Sequence, residues 1–89
     1  MEPIRELIAV DLEMTGLQVK TDRILEIGAV RLVDGQLRDT FQTFVNPHRR
    51  IDARITELTG IRPEMVEDAP EAEEALRKFL ERRHFLDIT

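Results

Sequence analysis

The sequence predicts an α/β fold in which a helix packs on a three-stranded sheet. The first half of the chain contains three β-rich runs, and an apolar stripe of helical period follows in the second half. A length of 89 residues is enough for one small domain. The order of three strands and then a helix indicates one layer of strands and one layer of helix. The residues alone do not decide whether the fold class is α/β or α+β. We therefore expect a single domain over residues 1–89.

The first predicted strand is the apolar run 7–10, which is typical of a buried strand. It leads into Asp11-Leu12-Glu13, and Gly16 marks a turn soon afterwards. Residues i and i+2 of a strand point to the same face. Asp11 and Glu13 are therefore expected on one side of the chain where this strand ends. Residues 18–23 are polar and predict a loop.

Residues 24–33 and 37–45 predict a second and a third strand joined by a hairpin. Asp34-Gly35 lies between them, and a type I′ turn needs positive φ at both of its central positions. The third run alternates apolar and polar side chains, which predicts a strand with one side partly in water. Its apolar members are Leu37, Phe41 and Val45.

Two short helical turns are predicted at residues 52–58 and 63–66, and a longer helix follows them. Asp68 is the expected N-cap of that helix, with Glu71 completing a capping box. One apolar stripe continues at helical spacing. Its members are Ala72, Ala75, Leu76, Phe79 and Leu80. Residues 85–89 predict the opening of another extended segment.

The composition excludes several classes of function. A net charge of −5 argues against a protein that grips phosphate backbones mainly through a basic surface. Bound metal ions would reverse the sign of the local charge, so the composition does not exclude a metal-dependent enzyme. The absence of cysteine excludes disulfides, thiolate zinc sites and a Cys nucleophile. No signal peptide and no apolar run of the ~20 residues of a membrane helix is present, so we expect a cytoplasmic protein without a membrane partner.

The pair Asp11 and Glu13 is the feature most suggestive of chemistry. Carboxylates bind hard cations such as Mg²⁺ or Mn²⁺, and two such ions ~3.5–4 Å apart can support phosphodiester hydrolysis. A bare acidic pair is a weak signal, because Glu71 and Glu73 form another that is expected on a solvated helix face. A functional role is better supported for Asp11 and Glu13, because charged groups at the end of a buried strand need a partner or a metal.

The sequence resembles the DnaQ-like 3′→5′ exonucleases of the DEDD superfamily in separated segments that occur in the family's order. They are D-L-E-M-T-G-L at 11–17 with D-R-I-L-E-I-G-A-V at 22–30, F-V-N-P at 44–47, and I-T-E-L-T-G-I at 55–61. The first is similar to oligoribonuclease, and the others are closer to proofreading subunits of bacterial DNA polymerase III and PolC-type exonuclease domains. The resemblance implies a ribonuclease H-like fold. This chain would hold its N-terminal three-stranded antiparallel sheet plus helix, truncated before the remaining strands.

The resemblance also implies roles for individual residues. Asp11 and Glu13 would be catalytic, as two of four acidic ligands of a two-ion Mg²⁺ or Mn²⁺ site. The residues that would border the 3′-terminal nucleotide are Thr15, Gly16 and Leu17 on one side and Thr59, Gly60 and Ile61 on the other. Taken singly, these residues have simpler interpretations. Thr15 can cap a turn, Gly60 can end a helix, and Ile61 can belong to the core.

Counterparts of the family's later motifs are not expected in this chain. The second motif supplies an Asp, often within H-N-x-x-F-D, and the third supplies a His base and a final Asp. His84 and Asp87 have a shorter spacing, and a solvated His and a frayed tail are the expected interpretations. Asp11 and Glu13 would balance only half the charge of two divalent ions. We therefore expect half of a metal site that is inactive in isolation.

The implied partners are the 3′ end of single-stranded DNA or RNA and a DNA polymerase subunit. Without a further neighbouring strand, the first strand is expected to expose an apolar edge that favours self-association. The alternative hypothesis is a non-catalytic module, derived from an exonuclease, that binds a nucleotide end or a protein.

Overall fold

The computed structural model describes residues 5–86, with side chains as far as residue 82. Three strands, β1 (Glu6–Met14), β2 (Ile24–Val33) and β3 (Gln36–Phe44), form one sheet in the order β1-β2-β3. Both pairs are antiparallel. The helices α1 (Ala53–Thr59), α2 (Pro63–Val66) and α3 (Ala72–Leu86) follow. The predicted sheet with a packed helix is confirmed, and no helix in the described part of the chain is long and apolar enough to span a membrane.

The β2–β3 hairpin turns at the predicted Asp34-Gly35 pair. Both residues have positive φ, 51° for Asp34 and 80° for Gly35, as a type I′ turn requires. β2 has the predicted bounds, whereas β3 begins and ends one residue earlier than predicted. The backbone N–H of Asp34 also donates to the Arg5 carbonyl at 2.7 Å, which joins the hairpin to the start of β1.

β1 is longer and more exposed than the sequence predicts. It continues to Met14, so Asp11 and Glu13 lie within the strand and not after it. Its large apolar side chains are between 43% and 51% exposed at Leu7, Val10 and Leu12. The prediction of a buried strand is wrong because β1 is an edge strand and, among the described residues, pairs only with β2. The expected apolar edge is therefore present.

α3 packs on the sheet through part of its predicted apolar stripe. The stripe members that cluster with Ile27 of β2 and with Val45, the residue after β3, are Ala72, Ala75 and Phe79. The ring of Phe79 lies 5.5 Å from that of Phe41, at an interplanar angle of 53°. Leu76 and Leu80 are exposed instead. Three of the five predicted stripe members therefore pack on the sheet.

α3 begins at Ala72, later than its predicted cap. The capping box at Asp68 and Glu71 is wrong, because Asp68 lies in a turn before the helix. The Glu71 carbonyl accepts the first helical hydrogen bond at 2.9 Å. The Pro70 carbonyl instead accepts the backbone N–H of Asn46 at 2.9 Å, which holds the start of the helix against the end of β3.

The same helix ends later than predicted. It runs to Leu86, so the predicted extended segment is wrong for residues 85 and 86, and His84 lies within the helix and not past its end. Residues 81–83 are strong helix formers, and no Gly or Pro follows to stop them. The rest of the predicted segment, with Asp87, lies outside the described residues.

Candidate functional site

Asp11 and Glu13 lie on one face of β1, near its C-terminal end. The antiparallel register pairs Asp11 with Gly28 and Glu13 with Glu26. Directly paired residues of neighbouring strands share a face, so the carboxylates of residues 11, 13 and 26 all leave the same side of the sheet. Asp11 is exposed and Glu13 is half-buried. Both predicted ligands are therefore accessible from one side, as their spacing predicts.

The surface beside Asp11 is open because its neighbour on β2 is a glycine. A Cβ at Gly28 would meet only the backbone oxygen of Asp11, at 4.0 Å. A shallow groove of about 350 Å³ crosses the sheet here, lined in part by Asp11, Val30 and Thr40. A small ligand can therefore approach Asp11 across the sheet.

Glu26 is the third carboxylate on this face. It lies directly opposite Glu13, and like charges in that arrangement repel each other. The side-chain amide of Gln42 donates to the Glu26 carboxylate at 2.7 Å. Among the described residues, no group of three or more His, Cys, Asp or Glu side chains lies close enough to hold a metal ion. The donor type of Asp11 and Glu13 is compatible with one hard cation, because Mg²⁺ is commonly held by one or two carboxylates, with water and substrate phosphates completing its shell.

The loop after β1 is closed by hydrogen bonds to Asp22. The Thr15 hydroxyl donates to Asp22 Oδ1 and the Gln18 backbone N–H donates to Oδ2, both at 2.8 Å. The Gln18 N–H, and after it the Thr15 hydroxyl and the charge of Arg49, hold the pKa of Asp22 below its ordinary value, although burial opposes them. The Arg23 backbone N–H donates to Thr15 Oγ1 at 2.9 Å. Thr15 therefore caps this turn, as the simpler interpretation of it predicts.

Gly16 sits directly against the same carboxylate. A Cβ at Gly16 would lie 2.5 Å from Oδ2 of Asp22 and 2.8 Å from its Cγ. These distances are shorter than ordinary van der Waals contacts, so a Cβ at Gly16 would force the Asp22 carboxylate to shift from the hydrogen bonds that it accepts. Leu17 follows Gly16 in the chain, so its position depends on this close contact between Gly16 and Asp22.

Two arginines connect this loop with the loop after β3. The Arg49 guanidinium donates to the Thr21 carbonyl at 2.6 Å and lies 3.9 Å from Asp22 Oδ1. In the opposite direction, the Arg23 guanidinium donates to the Pro47 carbonyl at 3.0 Å. The two loops are thus held together by charged side chains from both sides.

α1 lies across from the loop after β1. Asp52 caps its start by accepting the backbone N–H of Arg54 at 3.0 Å. Gly60 ends it in the left-handed conformation, with φ of 78°, as the simpler interpretation of that glycine predicts. The helix bounds are shifted by one residue from the prediction, because Asp52 is the cap and not the first helical residue.

A groove of about 530 Å³ separates the loop from α1. Its lining residues come from the loop and from α1 with its cap. They are Thr15, Gly16, Leu17, Gln18 and Asp22 on the loop side and Asp52, Arg54, Ile55 and Leu58 on the helix side. Leu17 and Leu58 are 99% and 76% exposed. Three of the six predicted substrate-binding residues therefore come together on one wall of this groove.

The other three predicted substrate-binding residues do not line it. The Thr59 hydroxyl donates to the Ile55 carbonyl at 2.8 Å and accepts the Ile61 backbone N–H at 3.1 Å. Ile61 is buried in the core. Thr59, Gly60 and Ile61 thus build the end of α1, while Ile55 and Leu58 face the groove. The sequence signal available for these two residues was an apolar pair at i and i+3 on a short predicted helix.

Asp22 and Arg49 are also missed by sequence reasoning. Asp22 opens the family segment 22–30, but the resemblance assigns it no role, and as one acidic residue of the polar loop 18–23 it carries no further pattern. Arg49 lies beside Arg50 in a basic run, and nothing local separates the two arginines. Their roles follow from contacts between distant segments of the chain.

Comparison with known proteins gives sequence and structural relatives. The exonuclease family model (RNase_T) matches residues 8–87. The chain is similar to DNA polymerase III PolC-type of Caldanaerobacter subterraneus subsp. tengcongensis, with 53% identity over 76 residues. It is similar to the same protein of Bacillus subtilis, with 43% identity over 74 residues. These matches cover 85% and 83% of this chain but only 5% of each relative.

Solved structures share the fold. A full-length 3′-exonuclease superposes with a TM-score of 0.85 at 23% identity, over 94% of this chain and 30% of that chain. Cell-death related nuclease 4 gives 0.83 at 18% identity, over 98% and 32%. Exonuclease X in complex with 5′ overhanging duplex DNA gives 0.71 at 29% identity, over 81% and 42%. The predicted ribonuclease H-like fold is confirmed.

Proposed function

The chain belongs to the RNase_T exonuclease family, and from this membership we propose that it supplies part of a metal-dependent 3′→5′ exonuclease site. The observation that carries the proposal is the shared, accessible face of Asp11 and Glu13 on β1. The reaction is hydrolysis of the last phosphodiester of a single-stranded DNA or RNA end, releasing a nucleoside monophosphate. The names of the PolC-type relatives favour DNA and a role in replication.

Asp11 and Glu13 are the residues that would hold Mg²⁺ or Mn²⁺. The bound ions would supply Lewis-acid activation of water and of the scissile phosphodiester. The two carboxylates contribute two negative charges, half of what two divalent ions need. A two-ion site therefore requires further acidic ligands in addition to this pair, and Asp11 and Glu13 on β1 are the proposed first half of that set.

The groove beside α1 is the proposed position of the 3′-terminal nucleotide. Thr15, Gly16 and Leu17 form one wall, and the apolar Leu17 side chain suits the face of a base. Ile55 and Leu58 form the other wall. Residues 59–61 contribute indirectly by ending α1 and anchoring it in the core.

We also propose a DNA polymerase subunit as a partner and a cytoplasmic location, on the ground of the DNA polymerase III relatives. The exposed apolar side chains of β1 support self-association through this edge strand. The self-association proposal concerns residues of β1 that do not line the groove beside α1, so it can be tested without disturbing that groove.

A titration with Mn²⁺, followed by the paramagnetic broadening of backbone amide signals, tests the ion site. Broadening is expected around residues 11 and 13 and at Gly28, and Asp11→Asn should remove it. The matched control is Glu73→Gln, which alters the other acidic pair on an exposed helix face and should leave the broadening unchanged. Broadening centred elsewhere, or indifferent to Asp11→Asn, would contradict the site.

Activity is tested with a 5′-labelled single-stranded oligonucleotide in Mg²⁺ or Mn²⁺. Stepwise loss of 3′ nucleotides that Asp11→Asn abolishes supports the exonuclease. If Mn²⁺ binds at Asp11 but neither the chain nor a longer protein containing it releases nucleotides, the non-catalytic binding module is the better account.

A further inference from the structure

The Asp22 carboxylate determines the shape of the first groove wall. Its two oxygens accept the Thr15 hydroxyl and the Gln18 backbone N–H, each at 2.8 Å. These donors lie on either side of Gly16 and Leu17 in the chain. The Asp22 side chain is only 17% exposed, so little water competes for its oxygens. The turn that carries Leu17 is therefore held at both ends by one side chain.

Arg49 reaches that turn from the chain segment that leads into the second wall. Its guanidinium donates to the Thr21 carbonyl at 2.6 Å and lies 3.9 Å from Asp22 Oδ1. Asp52, which caps α1, follows shortly after Arg49 in the sequence. The path from Thr21 through Arg49 to Asp52 therefore joins the loop on one side of the groove to the helix on the other.

The core anchors the helix wall of the groove but not the loop wall. Ile51, before α1, and Ile61, after it, are buried with Leu25, whereas no residue of the loop 15–23 belongs to a buried cluster of the described residues. α1 has no fully buried residue, and Ile55 is only partly buried against the cluster of Leu25 and Ile61. Leu17 is almost fully exposed. Apolar packing thus fixes α1 to the core, whereas hydrogen bonds and charge are what hold the loop wall against it.

We propose that the contacts of Arg49 with Thr21 and Asp22 set the width of the groove, and that Arg49 and Asp22 are positioning residues for its ligand. Neither side chain is the apolar surface that a base would contact. The proposal rests on the proposed function for the identity of the ligand, a terminal nucleotide. We call the contacts of Arg49 with Thr21 and Asp22 the tether. Its existence does not depend on which ligand the groove binds.

The tether is tested by amide hydrogen exchange on the 89-residue chain. Arg49→Ala should raise the exchange rates of the Gln18 and Asp22 amides about tenfold, as expected for losing a hydrogen bond to a charged group. The matched control, Arg50→Ala, removes the same charge from the adjacent exposed position and should leave both rates unchanged. The amide of Ile27 in the core reports global stability and should not respond to either change.

Ligand positioning is tested with thymidine 5′-monophosphate in the presence of Mn²⁺. Arg49→Ala should weaken binding about tenfold, Arg49→Lys should restore part of it, and Arg50→Ala should change it little. Equal weakening by Arg49→Ala and Arg50→Ala would show a general charge effect and overturn the positioning role.

The remaining outcomes separate the two proposals. If the Gln18 and Asp22 amides exchange no faster in Arg49→Ala, the tether is overturned, whether or not the nucleotide binds. If they exchange faster but the unaltered chain binds no nucleotide, the tether stands while the proposed ligand and the positioning role fail.

Discussion

The hydroxyl of Thr15 donates a 2.8 Å hydrogen bond to the carboxylate of Asp22 and accepts a 2.9 Å bond from the backbone N–H of Arg23. One side chain thereby joins the end of β1 to the start of β2. The pairing of these strands shifts register between Glu13 and Met14, immediately before the hydroxyl. The Thr15–Asp22 contact therefore fixes the loop where the ladder of the sheet becomes irregular.

Thr15→Val should destabilise the chain by about 1–3 kcal/mol, because the isosteric change leaves the Asp22 carboxylate and the Arg23 N–H without the hydroxyl. Thr15→Ser should retain most of the stability. Urea unfolding followed by circular dichroism measures both, since the chain has no Trp or Tyr. A Thr15→Val variant as stable as the unaltered chain would show that the contact contributes nothing.

Gly16→Ala should destabilise the loop by about 1–3 kcal/mol, because the new Cβ overlaps the Asp22 carboxylate. The control is Gly28→Ala, whose Cβ meets only a backbone oxygen at 4.0 Å. That change should be neutral or stabilising, because glycine is unfavourable within a strand. Equal effects of the two changes on the urea midpoint would contradict the steric account of Gly16.

The stability of the chain should depend on the ionisation of Asp22. Its pKa is held below the ordinary value of 3.8 by the Gln18 N–H first and by the Thr15 hydroxyl second. A lowered carboxyl pKa stabilises the fold fully above 3.8, and this stabilisation is lost as pH falls through the lower pKa of the folded state. Titration of the Asp22 side-chain carbon signal by NMR should give a pKa below 3.8.

Thr15→Val provides the check on that assignment. Loss of the hydroxyl should raise the pKa of Asp22 towards its ordinary value, and Asp22→Asn should flatten the dependence of the urea midpoint on pH below 3.8. An unchanged pH profile in Asp22→Asn would assign the acid sensitivity to another group.

Leu25→Ala should cost about 2–5 kcal/mol of unfolding free energy, because the side chain is fully buried. Leu25 packs against Ile61 and Val66, so the variant should also loosen the end of α1. Leu37→Ala is the matched control at an exposed position, where a change within about 0.5 kcal/mol is expected. Similar losses for the two leucines would contradict the described core.

Val10→Lys should weaken any self-association of the chain through β1, because a charge on an exposed edge strand opposes pairing. Leu37→Lys, on the opposite edge of the sheet, is the control and should have less effect. Sedimentation velocity across a concentration series measures both. Self-association that responds only to Leu37→Lys would move the interface to β3.

Local features of the fold could be predicted from the sequence because neighbouring residues encode them. Asp34-Gly35 predicts its own turn through the φ values that these residues tolerate, and the shared face of Asp11 and Glu13 follows from the period of a strand. The bounds of β2 and α2 agree with the prediction for the same reason. The family segments were also recognisable, since the order of their residues along the chain carries the signal.

The groove, the exposure of β1 and the start of α3 were decided by tertiary structure. The buried-strand prediction for residues 7–10 failed because burial depends on what packs against a strand, and β1 lies at an edge. Arg49 and Thr21 are 28 residues apart in the chain and 2.6 Å apart in the structure. The sequence by itself therefore determined the carboxylate pair and the turn beside it. Contacts between distant segments determined which helix faces that turn and what holds it there.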